Sequence, residues 1–169
     1  MRLGLISDTH GLLRPEAIEA LRGSDKIIHS GDIGGPDILD SLRAIAPVRA
    51  VRGNNDRDPW ARALPEMLEL DVGALRVFVI HDRHGLVGDP KALGYDIVIT
   101  GHSHKPLIEG RDGVLYVNPG SAGPTRFGLP ITVGRLTIEG RSIEAELVPL
   151  VLPPRPDRRP GRRREGGRS

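Results

Sequence analysis

The stretch RLGLISDTH, residues 2–10, places two polar side chains that can bind metal ions directly after a short apolar segment. The alternating apolar residues predict a buried β-strand over residues 2–7. Asp8 and His10 then follow at the carboxyl end of that strand. In an open α/β sheet, ligands bind beyond the carboxyl ends of the strands. This stretch therefore predicts an α/β fold with functional residues at the end of its first strand.

Helix and strand signals alternate from this strand up to residue 51. The first helix carries Pro15 in its first turn and is followed by Gly23, which is typical of a helix end. The predicted elements are helix 15–22, strand 26–30, helix 36–45 and strand 48–51. This order implies a parallel sheet with right-handed crossovers.

The second half of the chain is predicted to be mostly β-structure. The sequence Arg111-Asp112-Gly113 between two apolar runs indicates a β-hairpin. The predicted elements are strands 67–70, 75–80, 97–100, 107–109, 114–117, 131–138 and 142–148, with a short helix near 90–93. We expect one α/β domain over residues 1–152 with two layered sheets.

Charge is distributed unevenly along the chain. The whole protein has 24 basic and 22 acidic residues, a formal net charge of +2. Residues 153–169 contain seven Arg, one Asp and one Glu, so this tail carries +5 and the remainder −3. The tail is rich in Pro and Gly, which predicts disorder. It could contact nucleic acid phosphates, but a solvated extension without a function is favoured.

Composition excludes several classes of protein. The chain contains no cysteine, which excludes disulfides, zinc fingers, thiolate-bound clusters and a cysteine nucleophile. Aromatic residues make up only 3%, which argues against a base-stacking surface for single-stranded nucleic acid. We find no signal peptide and no apolar run long enough to cross a membrane. We therefore expect a cytoplasmic protein without a membrane partner, and the sequence leaves homo-oligomer formation open.

Five predicted strands end in side chains that can bind a metal ion. The candidate metal ligands are Asp8, His10, Asp32, Asn54, His81, His102 and His104. One ion seldom takes seven such ligands, but two ions do so when a carboxylate bridges them. Mixed oxygen and imidazole ligands suit Mn, Fe, Co, Ni or Zn better than Ca or Mg. Two such ions would leave a positive charge at the site, which favours a phosphate substrate.

The ordered motifs resemble the calcineurin-like metallophosphoesterase superfamily. They are DTH at 8–10, GD at 31–32, GNND at 53–56, the single His81, and GHSH at 101–104. The small size and NPGS at 118–121 resemble its short bacterial and archaeal phosphodiesterase branch. The resemblance covers about residues 1–150. It implies a four-layer α/β sandwich in which two mixed β-sheets lie face to face, flanked by helices.

The resemblance also implies a dinuclear site and a reaction. One ion would be held by Asp8, His10, Asp32 and His104, and the other by Asp32, Asn54, His81 and His102, with Asp32 bridging. A metal-bound water, ionised to hydroxide, would attack a phosphoester substrate. Manganese is the first choice, with Ni, Co, Fe or Zn as alternatives. We expect a phosphodiesterase; the alternatives are a phosphomonoesterase, a nuclease that uses the tail, and a noncatalytic module like the family's retromer scaffold subunit.

The sequence departs from the family's fullest pattern at Asn55, where many members have His. An amide has no proton to give near neutral pH, so the departure puts a leaving-group acid in doubt. Asn55, Asp56 and His84 remain candidates for orienting ligands or transferring a proton. The residues with weaker claims are His29, predicted to be packed in its strand, Arg126, which could bind phosphate, and the turn 118–121, which could line the pocket.

Overall fold

Ten strands form two five-stranded mixed sheets in the computed structural model, which describes residues 1–153. The predicted disordered tail lies outside the described residues, apart from Pro153. The strands of the first sheet are β1 (Arg2–Ile6), β2 (Lys26–His29), β3 (Val48–Ala50), β9 (Thr132–Glu139) and β10 (Ser142–Pro149). Their order is β10-β9-β1-β2-β3, with β1, β2 and β3 parallel and β9 antiparallel to both its neighbours.

The second sheet is built mainly from the middle of the chain. Its strands are β4 (Met67–Val72), β5 (Leu75–Ile80), β6 (Ile97–Ile99), β7 (Leu107–Arg111) and β8 (Val114–Asn118). They lie in the order β4-β5-β6-β8-β7, with three parallel strands in the centre and an antiparallel strand at each edge. Asp112 and Gly113 both have positive φ in the turn between β7 and β8, as a two-residue hairpin of the mirror-image type requires.

Two α-helices, α1 (Pro15–Leu21) and α2 (Pro36–Arg43), begin with a proline in their first turn. Proline is well tolerated there because its missing N–H has no partner within the helix. Leu21 of α1 and Leu42 of α2 pack on the first sheet against Ile27. Both predicted helices are thus confirmed, each ending one or two residues earlier than expected.

The apolar core lies in three layers. Between the two sheets, side chains such as Leu5 and Ile28 pack against Val79 and Ile99. A second layer joins the helices to the first sheet. A third covers the outer face of the second sheet, where Tyr95 packs with β5 and β6 residues. The α/β sandwich with two face-to-face mixed sheets is confirmed.

The prediction of a short helix near residues 90–93 was wrong. This segment is a turn in which the Leu93 N–H donates to the Asp89 carbonyl and the Tyr95 N–H to the Pro90 carbonyl. Gly88 and Gly94 flank it with φ of 89° and 81°, a conformation that ends a helix after one turn. Among residues 1–153, no helix is long and apolar enough to cross a membrane.

Candidate metal centre

All seven predicted ligand residues come together where parallel strands of the two sheets end. β1 leads to Asp8 and His10, and β2, β3 and β5 lead to Asp32, Asn54 and His81. The last two, His102 and His104, follow β6. Side-chain contacts connect the seven across the two sheets. The predicted convergence at the carboxyl ends therefore exists in the fold.

Backbone strain is concentrated at this site. Within residues 1–153, seven non-glycine residues have positive φ, and five of them are predicted ligands: Asp8, His10, Asp32, His102 and His104. The left-handed region costs an ordinary residue roughly 1–2 kcal/mol. Such strain persists only where the surrounding structure enforces it and is common at functional sites. The loops therefore aim these side chains inward at some cost in stability.

Three of the predicted ligand residues, Asp8, His10 and His104, form what we call the inner half of the centre. The His104 Nε2 atom lies 3.3 Å from both Asp8 Oδ1 and His10 Nε2. The Asp8 side chain is fully buried, and the imidazoles of His10 and His104 are 11% and 6% exposed. Their ligand atoms all lie within 4.8 Å of one another, close enough to share a single ion.

Asp8 carries the clearest sign that a cation belongs in the inner half. Its Oδ2 accepts hydrogen bonds from the Ser7 hydroxyl and the His102 N–H. Its Oδ1 is buried and accepts none. A buried carboxylate oxygen without a partner is costly. Because imidazole nitrogens of His10 and His104 face the same point, the residues present fit a divalent metal ion.

Three more residues, Asn54, His81 and His102, form what we call the outer half. The Asn54 Oδ1 atom lies 3.2 Å from His81 Nε2 and 3.0 Å from His102 Nδ1. His81 Nδ1 donates to the Ser30 carbonyl at 2.7 Å, which leaves its Nε2 facing the cluster. The His102 side chain is 43% exposed, so this half opens to solvent.

Asp32 lies between the two halves. Its Oδ2 is 3.8 Å from His10 Nε2 and 3.4 Å from His81 Nε2. Burial would raise the pKa of Asp32, but hydrogen bonds from His81 and Asn55 hold it well below its usual range. Burial likewise lowers the pKa of His81, yet Asp32 outweighs it and raises that pKa. The Asp32 carboxylate is thus ionised and placed to face both halves.

Asn55, the residue that replaces the family's histidine, contacts Asp32 directly. Its backbone N–H donates to Asp32 Oδ1 at 2.9 Å, and its side-chain amide donates to Oδ2 at 2.6 Å. The amide therefore fixes the orientation of the Asp32 carboxylate. Gly53, two residues earlier, packs so closely that an added Cβ would lie 2.1 Å from Asp32 Oδ1.

Asp56 and Asn118 fix the loops that carry the ligands. The Asp56 carboxylate accepts the N–H groups of Ile33, Gly34 and Gly53, so it joins the loops after β2 and β3. The Asn118 amide donates to the Gly101 carbonyl and the Ser103 hydroxyl, within the loop of His102 and His104. Sequence analysis did not predict that Ser7 would contact Asp8 and that Ser30 would contact His81. A serine at a strand end is too common to indicate such a role.

His29 is packed in its strand, as expected. Its Nδ1 accepts the Gly31 N–H, and its Nε2 bonds the Thr9 hydroxyl, which in turn donates to the Ile33 carbonyl. Burial is the main cause that lowers the pKa of His29 to about 4. The neutral imidazole therefore links the loops after β1 and β2 from behind the inner half.

The remaining candidate residues, His84 and Arg126, are exposed at the surface. His84 has an 85% exposed side chain and bonds Asp82 through both its N–H and its Nδ1. Burial is the main cause that lowers the pKa of His10; the Asp32 and Asp8 carboxylates oppose it, and the charge of Arg126 adds to it. A cleft of about 260 Å³ adjoins the outer half and is lined by Asn54 and His81 together with Met67.

Comparison with known families agrees with this geometry. Residues 1–141 match the calcineurin-like phosphoesterase superfamily domain. The chain belongs to the calcineurin-like phosphoesterase superfamily. It is accordingly a metal-dependent hydrolase of phosphoesters.

Similar proteins cover nearly the whole phosphoesterase domain. A probable metallophosphoesterase of Methanothermobacter thermautotrophicus is 36% identical over 160 residues, which are 88% of this chain and 92% of the relative. A phosphodiesterase of Methanocaldococcus jannaschii is 31% identical over 157 residues, covering 82% of this chain and 94% of the relative. The zinc-complexed Vps29 of Entamoeba histolytica, 24% identical, shares the fold with a TM-score of 0.70, covering 89% of this chain and all of that one.

Proposed function

We propose that this phosphoesterase is a phosphodiesterase that works with two divalent metal ions, manganese being the first choice. One ion is assigned to the inner half and the other to the outer half, with Asp32 as the shared ligand. The mixed oxygen and nitrogen donors favour a borderline divalent ion over calcium or magnesium. The relative from M. jannaschii is named a phosphodiesterase, which supports a diester substrate.

The buried, unpartnered Oδ1 of Asp8 is the observation that carries this proposal. Two imidazole nitrogens face it at 3.3 and 3.9 Å. An imidazole nitrogen that lacks a proton repels the carboxylate oxygen, so these groups are stable together only around a positive charge. A shared proton could serve one such pair, but next to it the Asn54 Oδ1 and Asp32 Oδ2 atoms converge on His81 Nε2, at 3.2 and 3.4 Å.

The chain's own residues orient the donors before any ion binds. The Ser7 hydroxyl fixes Asp8, the Ser30 carbonyl fixes the His81 ring, and the Asn55 amide fixes Asp32. When bound, divalent ions supply Lewis-acid chemistry at the phosphoryl oxygens and a nucleophilic water at neutral pH. Arg126, an exposed residue whose charge acts on His10, is the candidate side chain for pairing with a negatively charged phosphoryl oxygen.

Leaving-group protonation is where this chain differs from family members with histidine at position 55. The Asn55 amide is already engaged with Asp32 and offers no acidic proton near neutral pH. His84 is exposed and paired with Asp82, so it is a rim residue. The leaving group therefore departs with little protonation, and substrates with acidic alcohols are favoured.

Metal analysis together with a substrate screen tests the proposal. We expect up to two divalent ions per chain by mass spectrometry of the purified full-length protein. Hydrolysis of bis(p-nitrophenyl) phosphate should disappear after chelation and return with manganese. A parallel screen of monoester, cyclic nucleotide and nucleic acid substrates separates the diesterase from its alternatives.

A pair of aspartate variants controls for nonspecific effects of lost charge. Asp8→Asn should bind fewer ions than the wild type. Asp71→Asn changes an exposed aspartate of β4 that lies opposite Arg76 in the β4–β5 pairing, far along β5 from His81, and this variant should bind the wild-type amount. Equal activity of the loaded and the stripped protein would refute the proposal.

A further inference from the structure

Phe127 differs from the other aromatic residues of this aromatic-poor chain by being exposed. The protein has two Phe, two Tyr and one Trp. Phe78 and Tyr95 are each 7% exposed, and Trp60 and Tyr116 are half-buried. The Phe127 side chain is 82% exposed. A single exposed apolar residue needs no explanation by itself, so its backbone and its surroundings decide its meaning.

The backbone of Phe127 has an unfavourable conformation. Phe127 has a φ of 56°, which is uncommon for a bulky residue. Gly128, which follows it, also has positive φ, and the Leu129 N–H donates to the Arg126 carbonyl to close a turn. Glycine or asparagine adopts this conformation at lower cost than phenylalanine. The strained turn therefore sets the direction in which the Phe127 side chain leaves the backbone.

The loop that carries Phe127 is fastened to the strand end that carries Asp8. An added Cβ on Gly123 would lie 2.3 Å from the Thr9 carbonyl oxygen, so the two backbones are in direct contact. The Arg14 guanidinium donates twice to the Gly123 carbonyl, at 3.1 and 3.2 Å. The base of the loop thus cannot move away from the metal centre without breaking these contacts.

The ring itself lies beside the inner half. The Phe127 and His104 ring centroids are 6.0 Å apart with an interplanar angle of 69°, an edge-to-face arrangement. His104 is in turn 3.3 Å from Asp8 Oδ1. Most of the Phe127 surface remains open to solvent beside His104.

We propose that Phe127 is a specificity-determining residue that packs against a planar ring carried by the phosphoester substrate. This inference rests on the proposed function, because it places the phosphoryl group at the metal centre. The shared chemistry is an aromatic ring within a few bonds of the phosphorus, either an aryl group or a nucleobase. Contact with a second ring buries the exposed Phe127 surface and gains aromatic stacking.

Ligand binding by calorimetry tests this inference without relying on turnover. The full-length, manganese-loaded protein is titrated with methylphosphonate, phenylphosphonate and the phosphonate analogue of thymidine 5′-phosphate. The variants are Phe127→Ala, which removes the ring, and Phe127→Tyr, which keeps it. Thermal melting of each variant verifies that the fold is intact.

We expect the wild type to bind at least one ring-bearing phosphonate more tightly than methylphosphonate. Phe127→Ala should weaken that ligand about 2- to 10-fold, the range for one aromatic contact, and leave methylphosphonate unchanged. Phe127→Tyr should retain the preference. The ring-bearing ligand that responds identifies the aryl or the nucleobase source.

Two different results would overturn the inference, and they are distinguishable. An unchanged ratio of ring-bearing to methyl ligand in Phe127→Ala would refute the role of Phe127 alone. Failure of the loaded wild type to bind any of the three phosphonates would refute phosphoryl binding at the metal centre, and with it both proposals.

Discussion

The inner half of the metal centre is buried under protein, whereas the outer half is open to solvent. In the inner half, the Asp8 side chain is fully buried and the His104 imidazole is 6% exposed. In the outer half, His81 is buried, but the His102 imidazole is 43% exposed and Asn54 is exposed. The same kinds of ligand thus occur in two environments of different polarity.

This difference has consequences for metal binding. An ion in the inner half would neutralise the buried carboxylate of Asp8, and the low dielectric would strengthen that attraction. An ion in the outer half would compete with bulk water for a neutral amide and the exposed His102 imidazole, although the His81 imidazole there is buried. If each half holds an ion, as we propose, the inner ion should be held more tightly and the outer ion should be the one that meets substrate first.

The largest effect is expected for Asp32→Asn, which removes the one charge shared by both halves. Metal content should fall, and turnover of bis(p-nitrophenyl) phosphate should drop by well over the ~10- to 100-fold typical of residues that only orient a ligand. Circular dichroism should show an intact fold, because Asp32 lies beyond the end of β2. Near-normal turnover would exclude a shared carboxylate.

Asp8→Asn should show that the two halves affect the stability of the metal-free protein differently. Without metal, Asp8 leaves a buried oxygen unpaired, and a neutral amide can donate to the facing imidazoles. The metal-free variant should therefore be more stable than the metal-free wild type by about 1–3 kcal/mol. His102→Ala, in the exposed outer half, should show no such gain. Melting curves in excess chelator measure both, and equal shifts would contradict the comparison.

His29, behind the inner half, should make stability depend on pH. Burial lowers its folded-state pKa to about 4, so the unfolded chain binds the proton first. Stability from this group is full above pH 6.5 and is lost as the pH falls toward 4, by about 2 kcal/mol between pH 7 and pH 5. Urea unfolding of the metal-free protein should show a weaker pH dependence in His29→Gln. The same pH dependence in both proteins would assign it to other groups.

Asn55→His should modestly raise the rate of alkyl diester cleavage without a similar gain for aryl diesters. A histidine has an ordinary pKa near 6.5 and can protonate a leaving group, but it would lose the amide contact with Asp32. We expect about 10-fold faster cleavage of alkyl diesters, below the usual range for a tuned acid, and little change for aryl diesters. Equal changes for both substrate types would show that protonation is not the missing step.

The smallest effect is expected from deleting residues 154–169. These residues consist mainly of Arg, Pro and Gly and include no large apolar side chain. Melting temperature and metal content should stay within experimental error of the full-length protein. A decrease of more than a few degrees would show that the tail packs on the domain.

Local sequence determined most of the secondary structure and the set of candidate ligands. Apolar periodicity, proline at helix starts and glycine at turns act over a few residues, so both α-helices and all ten strands could be predicted within about two residues of their ends. The prediction of a helix at residues 90–93 failed because Gly88 and Gly94, both with positive φ, limit the segment to a single turn. The candidate ligands could be named because Asp, Asn and His follow strands at short spacings.

Long-range packing decided everything that depends on burial and partners. Only the fold shows that β9 and β10 join β1 in the first sheet, a pairing that spans more than a hundred residues. Only the fold leaves Asp8 Oδ1 without a partner, engages the Asn55 amide with Asp32, and sets the Phe127 ring against His104. Sequence spacing fixes which side chains follow a strand, whereas their distances, their exposure and their pKa values are set by chain segments that meet only after folding.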